Sequence, residues 1–406
     1  MARKASYIAG LDLGSTKTCT LICEPHEGAG LRVKGFGTAE SKGWRKGLLV
    51  NLDAAVLAIK KAVEAAEDAA GAPIESAYVG LGGPQVRGFN STGGMALGKS
   101  AESTREVTGE DVRKAFQTAQ GVSLPADRRV VYAERQEYLL DSQNGIRNPV
   151  GMVGARLEVN VHLITASVTA HENIVAAANR AGLVVNDTIY EALAAADACL
   201  TTDERELGVA LLDIGGGASN LICYHAGTIR HSAVIPVGGE HFTNDVAVGL
   251  RTPIPEAEKM KLAWGRREAG TAEDDMLEVA SVGERPARQV TYRTLSDILE
   301  PRAQELIEFV QAELRRSGLE NQLVAGLVLV GGGAKLGGFL PLAERVLGLP
   351  VRLGEPAGLD KMGELLPDPA NATVVGLVIH GNRLRLLQAS REPSWGDRLW
   401  GIFRGK

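Results

Sequence analysis

The sequence predicts an α/β protein made of two duplicated, ribonuclease H-like lobes around a cleft. The first observation is a pair of nearly identical loops at 11–17 and 212–220, about half a chain apart. The second is that each loop lies between strand-like apolar runs and opens the same order of elements: three strands, a helix, a strand and a helix. Strands followed by helices favour a layered α/β architecture. The repeated order indicates an internal duplication, and 406 residues are enough for two domains.

Both loops place one aspartate beside several glycines at a hairpin tip. Glycine lets the backbone approach a phosphate closely, and successive backbone N–H groups form a concave anion site. Asp12 and Asp213 cannot bind phosphate themselves, because both groups are negative, but each can hold a hydrated Mg²⁺. One such loop is usually only a turn. Two copies at strand ends, with a third glycine loop at 330–334 after an apolar run, indicate a phosphate-binding cleft.

The composition limits the classes of function. A net charge of −5 argues against sequence-independent nucleic-acid binding, which needs a cationic surface. The four cysteines have no C-x-x-C spacing, so metal and redox roles are weakly supported and a reducing cytoplasm is expected. The N-terminus does not have the pattern of a signal peptide. No run approaches the roughly 20 apolar residues that span a bilayer.

Periodicity and capping residues predict the elements of the first half. Asn51 or Asp53 can start the first helix, which Gly71 ends, and Thr108 suits the N-cap of the second. The expected elements are strands at 6–12, 17–23, 32–37, 77–81, 129–140 and 157–163, with helices at 52–70 and 109–119. The change of character within 84–163 predicts an inserted small α+β subdomain, although an elaborated sheet edge would give a similar pattern.

The second half returns to the α/β style. The expected elements are helices at 171–181, 192–200, 242–250 and 254–264, a strand at 183–190, a second hairpin from 208, a strand at 327–329 and a last helix from 373 to about 387. Pro301 is expected in the first turn of a helix that ends near residue 316, with Gly318 at its C-cap.

Together these motifs resemble the actin-like ATPase superfamily, which includes actin, sugar kinases, heat-shock chaperones and MreB. The resemblance covers nearly the whole chain. It rests on two phosphate loops at 11–17 and 212–220, connecting helices at 191–196 and 373–380, and an adenosine loop at 330–335. Within the superfamily, the chain is most similar to the FtsA family of bacterial division proteins, because of the early inserted segment and the C-terminal tail.

The tail at 394–406 has the pattern of an amphipathic helix that lies in a membrane interface. Its apolar side spans an arc of roughly 160° and carries Trp395, Leu399, Trp400, Ile402 and Phe403, opposite Arg398 and Arg404. From residue 391 onward, four basic and two acidic residues give a net charge of +2. Counted from Pro393 at 1.5 Å per residue, the helix would be about 21 Å long, too short to span a bilayer. A terminal helix packed on its own domain is the alternative.

The resemblance implies an ATP site with Mg²⁺ as the metal. The implied roles are Asp12 and Asp213 for Mg²⁺ through water; Gly14, Ser15, Thr16 and Lys17 for the β-phosphate; Gly215, Gly216 and Gly217 for the γ-phosphate; Glu258 and Lys261 for ribose and adenine; Gly331, Gly332, Gly333 and Lys335 for adenine; and Glu191 for orienting the attacking water. Glu258 and Lys261 also have the spacing of a surface ion pair, and Glu191 that of a helix N-terminal acid.

The resemblance also implies how the chain divides and what it does. The expected parts are a first lobe at 1–83, 164–200 and about 377–388, an inserted subdomain at 84–163, a second lobe at 201–376 with an outer subdomain at 241–300, a linker at 389–393 and the membrane helix. The implied protein self-polymerises and tethers FtsZ filaments to the cytoplasmic face of the membrane at the division septum. Its implied partners are the FtsZ C-terminal peptide, its own copies, downstream division proteins and anionic lipid, with no nucleic acid.

One departure from the superfamily pattern bears on catalysis. Many members have Thr and then Asp after the second loop, where this chain has Ala218 and Asn220. A missing hydroxyl and a missing carboxylate should slow phosphoryl transfer, so we expect ATP binding with hydrolysis well below the roughly 1–100 s⁻¹ of kinases. A basic patch that includes Arg285, Arg288 and Arg293 is the candidate FtsZ contact. A small-molecule kinase and an actin-like pilus-assembly ATPase are the alternative functions.

Overall fold

The structure is a computed structural model that describes residues 7–26, 30–98, 103–265, 274–283 and 286–391, with side chains up to residue 388. The chain begins with β1 (Ile8–Leu13), β2 (Lys17–Pro25), β3 (Leu31–Glu40), the short hairpin β4 (Trp44–Arg45) and β5 (Leu48–Leu49), α1 (Leu52–Ala70) and β6 (Ser76–Leu81). As expected, the Asn51 side chain caps α1 by accepting a hydrogen bond from the Ala54 N–H at 3.1 Å.

A separate small sheet is then inserted. It comprises β7 (Val86–Ala96), β8 (Arg105–Glu106), α2 (Gly109–Gln120), β9 (Arg128–Leu140), β10 (Gln143–Ile146), β11 (Val153–Gly154) and β12 (Arg156–Ser167). The main strands follow the order β10-β9-β12-β7, and α2 packs against β7 and β12. Thr108 and Asp111 form a reciprocal capping box at the start of α2.

The chain returns to the first lobe with α3 (Val168–Arg180), β13 (Val184–Tyr190) and α4 (Glu191–Cys199). The completed sheet has the order β13-β6-β1-β2-β3. Its strands are antiparallel from β1 to β3 and parallel from β1 through β6 to β13. All six residues of β1 are buried, because helices cover both faces of the sheet.

The second lobe repeats this plan. Its elements are α5 (Thr202–Leu207), β14 (Val209–Ile214), β15 (Ser219–His225), β16 (Thr228–Ile235), α6 (Gly239–Gly249), α7 (Ile254–Gly265), β17 (Met276–Val279), β18 (Arg288–Thr291), α8 (Tyr292–Arg316), β19 (Leu327–Val330), α9 (Phe339–Leu347), β20 (Val351–Leu353) and α10 (Ala372–Arg391). The sheet order is β16-β15-β14-β19-β20, again antiparallel over three strands and then parallel. The predicted fold class and its duplication are therefore confirmed.

The prediction for α8 was wrong at its start. The helix begins at Tyr292, capped by the Thr291 side chain, and Pro301 lies inside it rather than in its first turn. A proline there removes one backbone hydrogen bond. The helix continues because one face is buried along its whole length, with Leu295, Leu299 and Leu306 among the fully buried residues. Gly318, just beyond the helix, has the positive φ of 70° expected of its terminating residue.

Helices α4 and α10 pack against each other beneath the cleft between the lobes. A Cβ atom on Gly376 would lie 1.7 Å from the carbonyl oxygen of Ala194, so only glycine permits this approach. The N-terminal ends of these two helices carry Glu191 and Thr373 to the cleft. Their packing therefore fixes part of the cleft's floor.

Candidate functional site

The two Asp-x-Gly loops are the tips of the β1–β2 and β14–β15 hairpins. Asp12 and Asp213 are the corresponding residues, paired across their hairpins with Cys19 and Asn220. Both aspartates are the next-to-last residues of central, buried strands, and both line the cleft. Each carboxylate lies on its own lobe, and together they face one space.

The two loops also touch each other. A Cβ atom on Gly216 would lie 2.6 Å from Cγ2 of Thr16, which belongs to the other loop. A Cβ atom on Gly217 would lie 2.1 Å from the backbone nitrogen of Gly47, at the tip of the β4–β5 hairpin. These glycines are required because side chains would force the loops apart.

One cavity of about 360 Å³ joins these loops, a size typical of small-molecule sites. Its lining includes every candidate residue of the expected nucleotide site: Asp12, Gly14, Ser15, Thr16, Lys17, Glu191, Asp213, Gly215, Gly216, Gly217, Glu258, Lys261, Gly331, Gly332, Gly333 and Lys335. The structure thus brings together residues that are up to 323 positions apart, from Asp12 to Lys335. Their individual binding roles stay predictions.

The floor of the cavity brings together three carboxyl groups. Burial raises the pKa of Asp12 to about 7 and that of Asp213 to about 6, although the charge of Lys17 opposes both shifts. Burial also raises the pKa of Glu191 well above that of an ordinary glutamate, and the charges of Asp12 and Asp213 add to this. Carboxylates held in a low dielectric with little positive charge favour a divalent cation, whose binding would return them to the ionised form.

Lys17 already has a hydrogen-bond partner where the two lobes meet. Its Nζ donates to Oδ1 of Asn371 at 2.7 Å, just before α10. At the start of the same helix, the Thr373 hydroxyl donates to Asp213 at 3.4 Å. Both phosphate loops are therefore tied to the N-terminus of α10.

Glu258 and Lys261 do not form an ordinary surface pair. Lys261 is only 7% exposed. Its Nζ lies 2.7 Å from Oε2 of Glu258 and 3.0 Å from the hydroxyl of Thr243 on α6. The ammonium group therefore sits at the cavity wall, and Glu258 remains partly open to the cavity. Lys335 pairs instead with Asp368 at the rim.

Sequence reasoning missed several contributors to this cavity, and three of them come from two short turns. Trp44 and Gly47 reach it from the β4–β5 hairpin, and Gln85 from the turn after β6. The hairpin is only two residues per strand, too short for a periodic pattern to reveal. Lys46 and Gly47 form a left-handed turn, with φ of 51° and 75°. The Lys-Gly pair was the one sequence signal for this hairpin.

The membrane-binding residues of the predicted tail, Trp395 to Arg404, lie outside the described residues, as does Arg285 of the basic patch. Over the part of the chain that the structure describes, no helix combines the length and the hydropathy needed to cross a bilayer. Within the same ranges, no group of three carboxylate, imidazole or thiol side chains could ligate a metal ion directly.

Solved structures share this fold at low sequence identity. The PilM–PilN type IV pilus biogenesis complex matches with a TM-score of 0.64 and 18% identity, covering 92% of this chain and 98% of the other. MreB5 of Spiroplasma citri bound to ADP matches with a TM-score of 0.57 and 15% identity, covering 94% and 98%. The chain therefore has the two-lobed, actin-like fold.

Sequence relatives narrow the class. Cell division protein FtsA of Pseudomonas aeruginosa is 43% identical over 93% of this chain and 90% of its own length. The FtsA proteins of Neisseria meningitidis and Escherichia coli K12 are 37% and 36% identical, over 93% and 95% of this chain and 91% and 92% of their own. Family models described as cell division protein FtsA and as the SHS2 domain inserted in FtsA match residues 210–376 and 83–165. The chain belongs to the FtsA family of cell division proteins.

Proposed function

We propose that this chain binds Mg-ATP in the cleft and acts as a self-assembling adaptor, which tethers FtsZ filaments to the cytoplasmic face of the membrane at the division septum. The observation that carries the proposal is the single cavity lined by both phosphate loops and the adenosine loop, in a chain of the FtsA family. ATP would act mainly as a ligand that closes the two lobes.

The residues at the cavity fit a magnesium nucleotide. The glycines of the two loops present no side chains to the cavity, so a polyphosphate could approach their backbone closely. Asp12 and Asp213 would hold the hydrated cation, which would neutralise phosphate charge when bound. Lys261 and Glu258 would contact the nucleoside, and Gly331 to Gly333 would border its base. The ADP bound to the related-fold MreB5 supports a nucleotide as the ligand class.

We expect ATP hydrolysis to be slow. Ala218 has no hydroxyl to contact phosphate, and charge stabilisation by positioned groups is the main source of phosphoryl-transfer catalysis. The family relationship favours a division protein over the kinase and pilus-assembly alternatives.

The FtsZ peptide would dock on the outer part of the second lobe, at 241–300. The basic patch expected there is less available than the sequence indicated. Arg288 donates to the carbonyl oxygen of Leu250, and Arg293 also has an interaction partner. We therefore assign docking to the outer subdomain without assigning it to these arginines. The inserted subdomain, at 84–163, is the proposed surface for downstream division proteins.

The tail at 394–406 would supply membrane attachment. The test compares the full chain with a variant lacking residues 395–406, by sedimentation with vesicles of anionic lipid in the presence of purified FtsZ. The full chain should bring FtsZ into the vesicle pellet, and the truncated chain should leave it in the supernatant. Equal melting temperatures of the two proteins would exclude misfolding as the cause. Unchanged vesicle binding after truncation would refute the adaptor proposal.

A further inference from the structure

The inserted subdomain grows out of the first lobe but also contacts the second. Its strand β7 begins at Val86, which is buried in the first-lobe core. Its own apolar core is a separate cluster that includes Leu157. Helix α2 covers the face of the inserted sheet that carries Gly93, and β16 of the second lobe lies against the opposite face, which carries Gly88. The subdomain therefore joins the two lobes at a second place, outside the cleft.

Side chains of the inserted sheet bond to the outer backbone edge of β16. This strand stands first in the described sheet order and pairs with β15. The N–H of Ile229 donates to Oε1 of Glu134 at 3.2 Å, and its carbonyl oxygen accepts from Nε2 of Gln136 at 2.7 Å. The carbonyl oxygen of Arg230 accepts from Nδ2 of Asn90 at 3.1 Å. Backbone groups that an edge strand leaves unpaired are thus bound by the other lobe's subdomain.

A fully buried histidine completes this contact. Nδ1 of His162 lies 2.7 Å from Oδ1 of Asn90, and its Nε2 lies 2.8 Å from the hydroxyl oxygen of Ser232 on β16. The amide oxygen can only accept, so Nδ1 carries the proton, and Nε2 of the neutral ring accepts from Ser232. A Cβ atom on Gly88 would lie 1.9 Å from the same hydroxyl oxygen, so glycine permits this close approach. Residues 88, 90, 134, 136 and 162 with residues 229, 230 and 232 form one surface, the β16 contact.

The β16 contact is outside the nucleotide cavity but forms in the same arrangement of the lobes. Among the described residues, those that line the cavity include none from the β16 contact. In this arrangement the two phosphate loops already meet, at Gly216 and Thr16. The β16 contact is largely polar, as is typical of interfaces between domains that move relative to each other. A ligand that favours the arrangement with the loops together would therefore favour the β16 contact too.

We propose that the β16 contact couples ATP in the cleft to the position of the inserted subdomain, an inference that rests on the proposed function. When ATP holds the lobes together, β16 is held against the inserted sheet. When the lobes separate, Glu134, Gln136 and His162 lose their partners on β16, and the subdomain is attached to the first lobe alone. Such coupling is reciprocal, so a division protein that docks on the inserted subdomain and stabilises the β16 contact would also strengthen ATP binding.

The test weakens the β16 contact in two full-length variants, Gly88→Ala and Gln136→Ala. The first sets a methyl group against the Ser232 hydroxyl, and the second removes the donor to the Ile229 carbonyl oxygen. A third variant adds Ser232→Gly to Gly88→Ala, which removes the hydroxyl that the methyl group meets. Mg-ATP affinity is measured by equilibrium titration. Backbone hydrogen exchange of residues 228–233 is measured by mass spectrometry, with and without Mg-ATP.

Two controls separate coupling from a general loss of stability. Gly94→Ala adds a methyl group to the same strand, where its nearest neighbour is the flexible Glu158 side chain. Asp111→Asn weakens the capping box of α2 and the ion pair with Arg105, which lie on the other face of the inserted sheet. The second control therefore destabilises the subdomain without touching the β16 contact.

In the wild type, Mg-ATP should slow hydrogen exchange at 228–233 about 5-fold or more. Gly88→Ala and Gln136→Ala should each weaken Mg-ATP binding about 5-fold or more, although neither residue lines the cavity. Both should also speed exchange at 228–233 without ligand. Adding Ser232→Gly should restore most of the affinity that Gly88→Ala loses, because the two changes act at one place. Both controls should keep the wild-type affinity.

Four results would overturn the proposal: wild-type affinity in either contact variant, an equal loss of affinity in Asp111→Asn, no recovery on adding Ser232→Gly, or unchanged exchange at 228–233 when Mg-ATP binds. A wild-type chain that fails to bind Mg-ATP would instead refute the proposed function, and the coupling with it. Exchange without ligand needs no nucleotide, so faster exchange in Gly88→Ala would still show that the β16 contact exists.

Discussion

Asp197 offers the sharpest test of how the connecting helices are held together. Its side chain is fully buried on α4, six residues after Glu191. It accepts hydrogen bonds from Nδ1 of His380 at 2.6 Å and from Arg383 at 3.0 Å, both on α10, and from Arg205 on α5 at 2.9 Å. One carboxylate thus links both connecting helices to the second lobe.

The magnitude follows from burial. Burial alone would raise the pKa of Asp197, but the hydrogen bond from His380 and the charge of Arg383 outweigh it and hold the pKa below its usual value. The carboxylate is therefore charged in the folded protein. Removing one partner from a buried charged network costs about 3–5 kcal/mol, because the remaining charges lose their compensation. We expect Asp197→Ala to lower the free energy of unfolding by about that amount.

Asp53→Ala is the matched control. Asp53 is an aspartate in a 3.6 Å ion pair with Arg180, but its side chain is 91% exposed. Such pairs are worth about 0–1 kcal/mol. Urea unfolding of both variants, followed by circular dichroism, measures the two losses at neutral pH. A loss for Asp197→Ala no larger than that for Asp53→Ala would refute the reasoning.

Three further predictions concern single residues. Burial lowers the pKa of His162 to about 3, whereas an unfolded histidine titrates near 6.5. As the pH falls, the unfolded chain therefore gains its proton first, and the folded protein loses stability. Between pH 7.5 and 5, the free energy of unfolding of His162→Gln should fall by about 2 kcal/mol less than that of the wild type, as measured by urea titrations. Gly217→Ala should weaken Mg-ATP binding, because its methyl group would meet the Gly47 backbone, whereas Gly109→Ala, with open space around it, should bind as the wild type does. Lys261→Met should weaken ATP binding without unfolding the protein, as equilibrium titration and circular dichroism would show.

Repeated local signals in the sequence predicted the two-lobed architecture, but not every element of it. The Asp-x-Gly hairpins at Asp12 and Asp213 could be predicted from local sequence, because a tight turn between two apolar runs involves only consecutive residues. Their recurrence predicted the duplication and therefore the cleft. The start of α8 was missed because Pro301 is a strong local signal for a helix start, while the burial of the preceding turns depends on tertiary packing.

The residues predicted for the site all line one cavity, but the sequence did not predict the contacts between them. Asn220 was recognised as unusual, yet its partner Glu191 lies 29 residues away and meets it only when the lobes pack. The link from Lys17 to Asn371 spans 354 residues and has no local pattern at all. The spacing of Glu258 and Lys261 fits both a surface ion pair and a pair at the cavity wall. Only the burial of Lys261 against Thr243, on another helix, distinguishes the two.

The central claim is that the two aspartate loops form one magnesium-dependent nucleotide site. The direct measurement is an equilibrium titration of ATP into the full chain, with and without Mg²⁺, for the wild type and Asp213→Ala. The account predicts saturable binding by the wild type that weakens when Mg²⁺ is removed, and that weakens about 10-fold or more in the variant, since one of two cation-holding carboxylates is lost. Binding that is absent in the wild type, or equal in both proteins regardless of Mg²⁺, would contradict it.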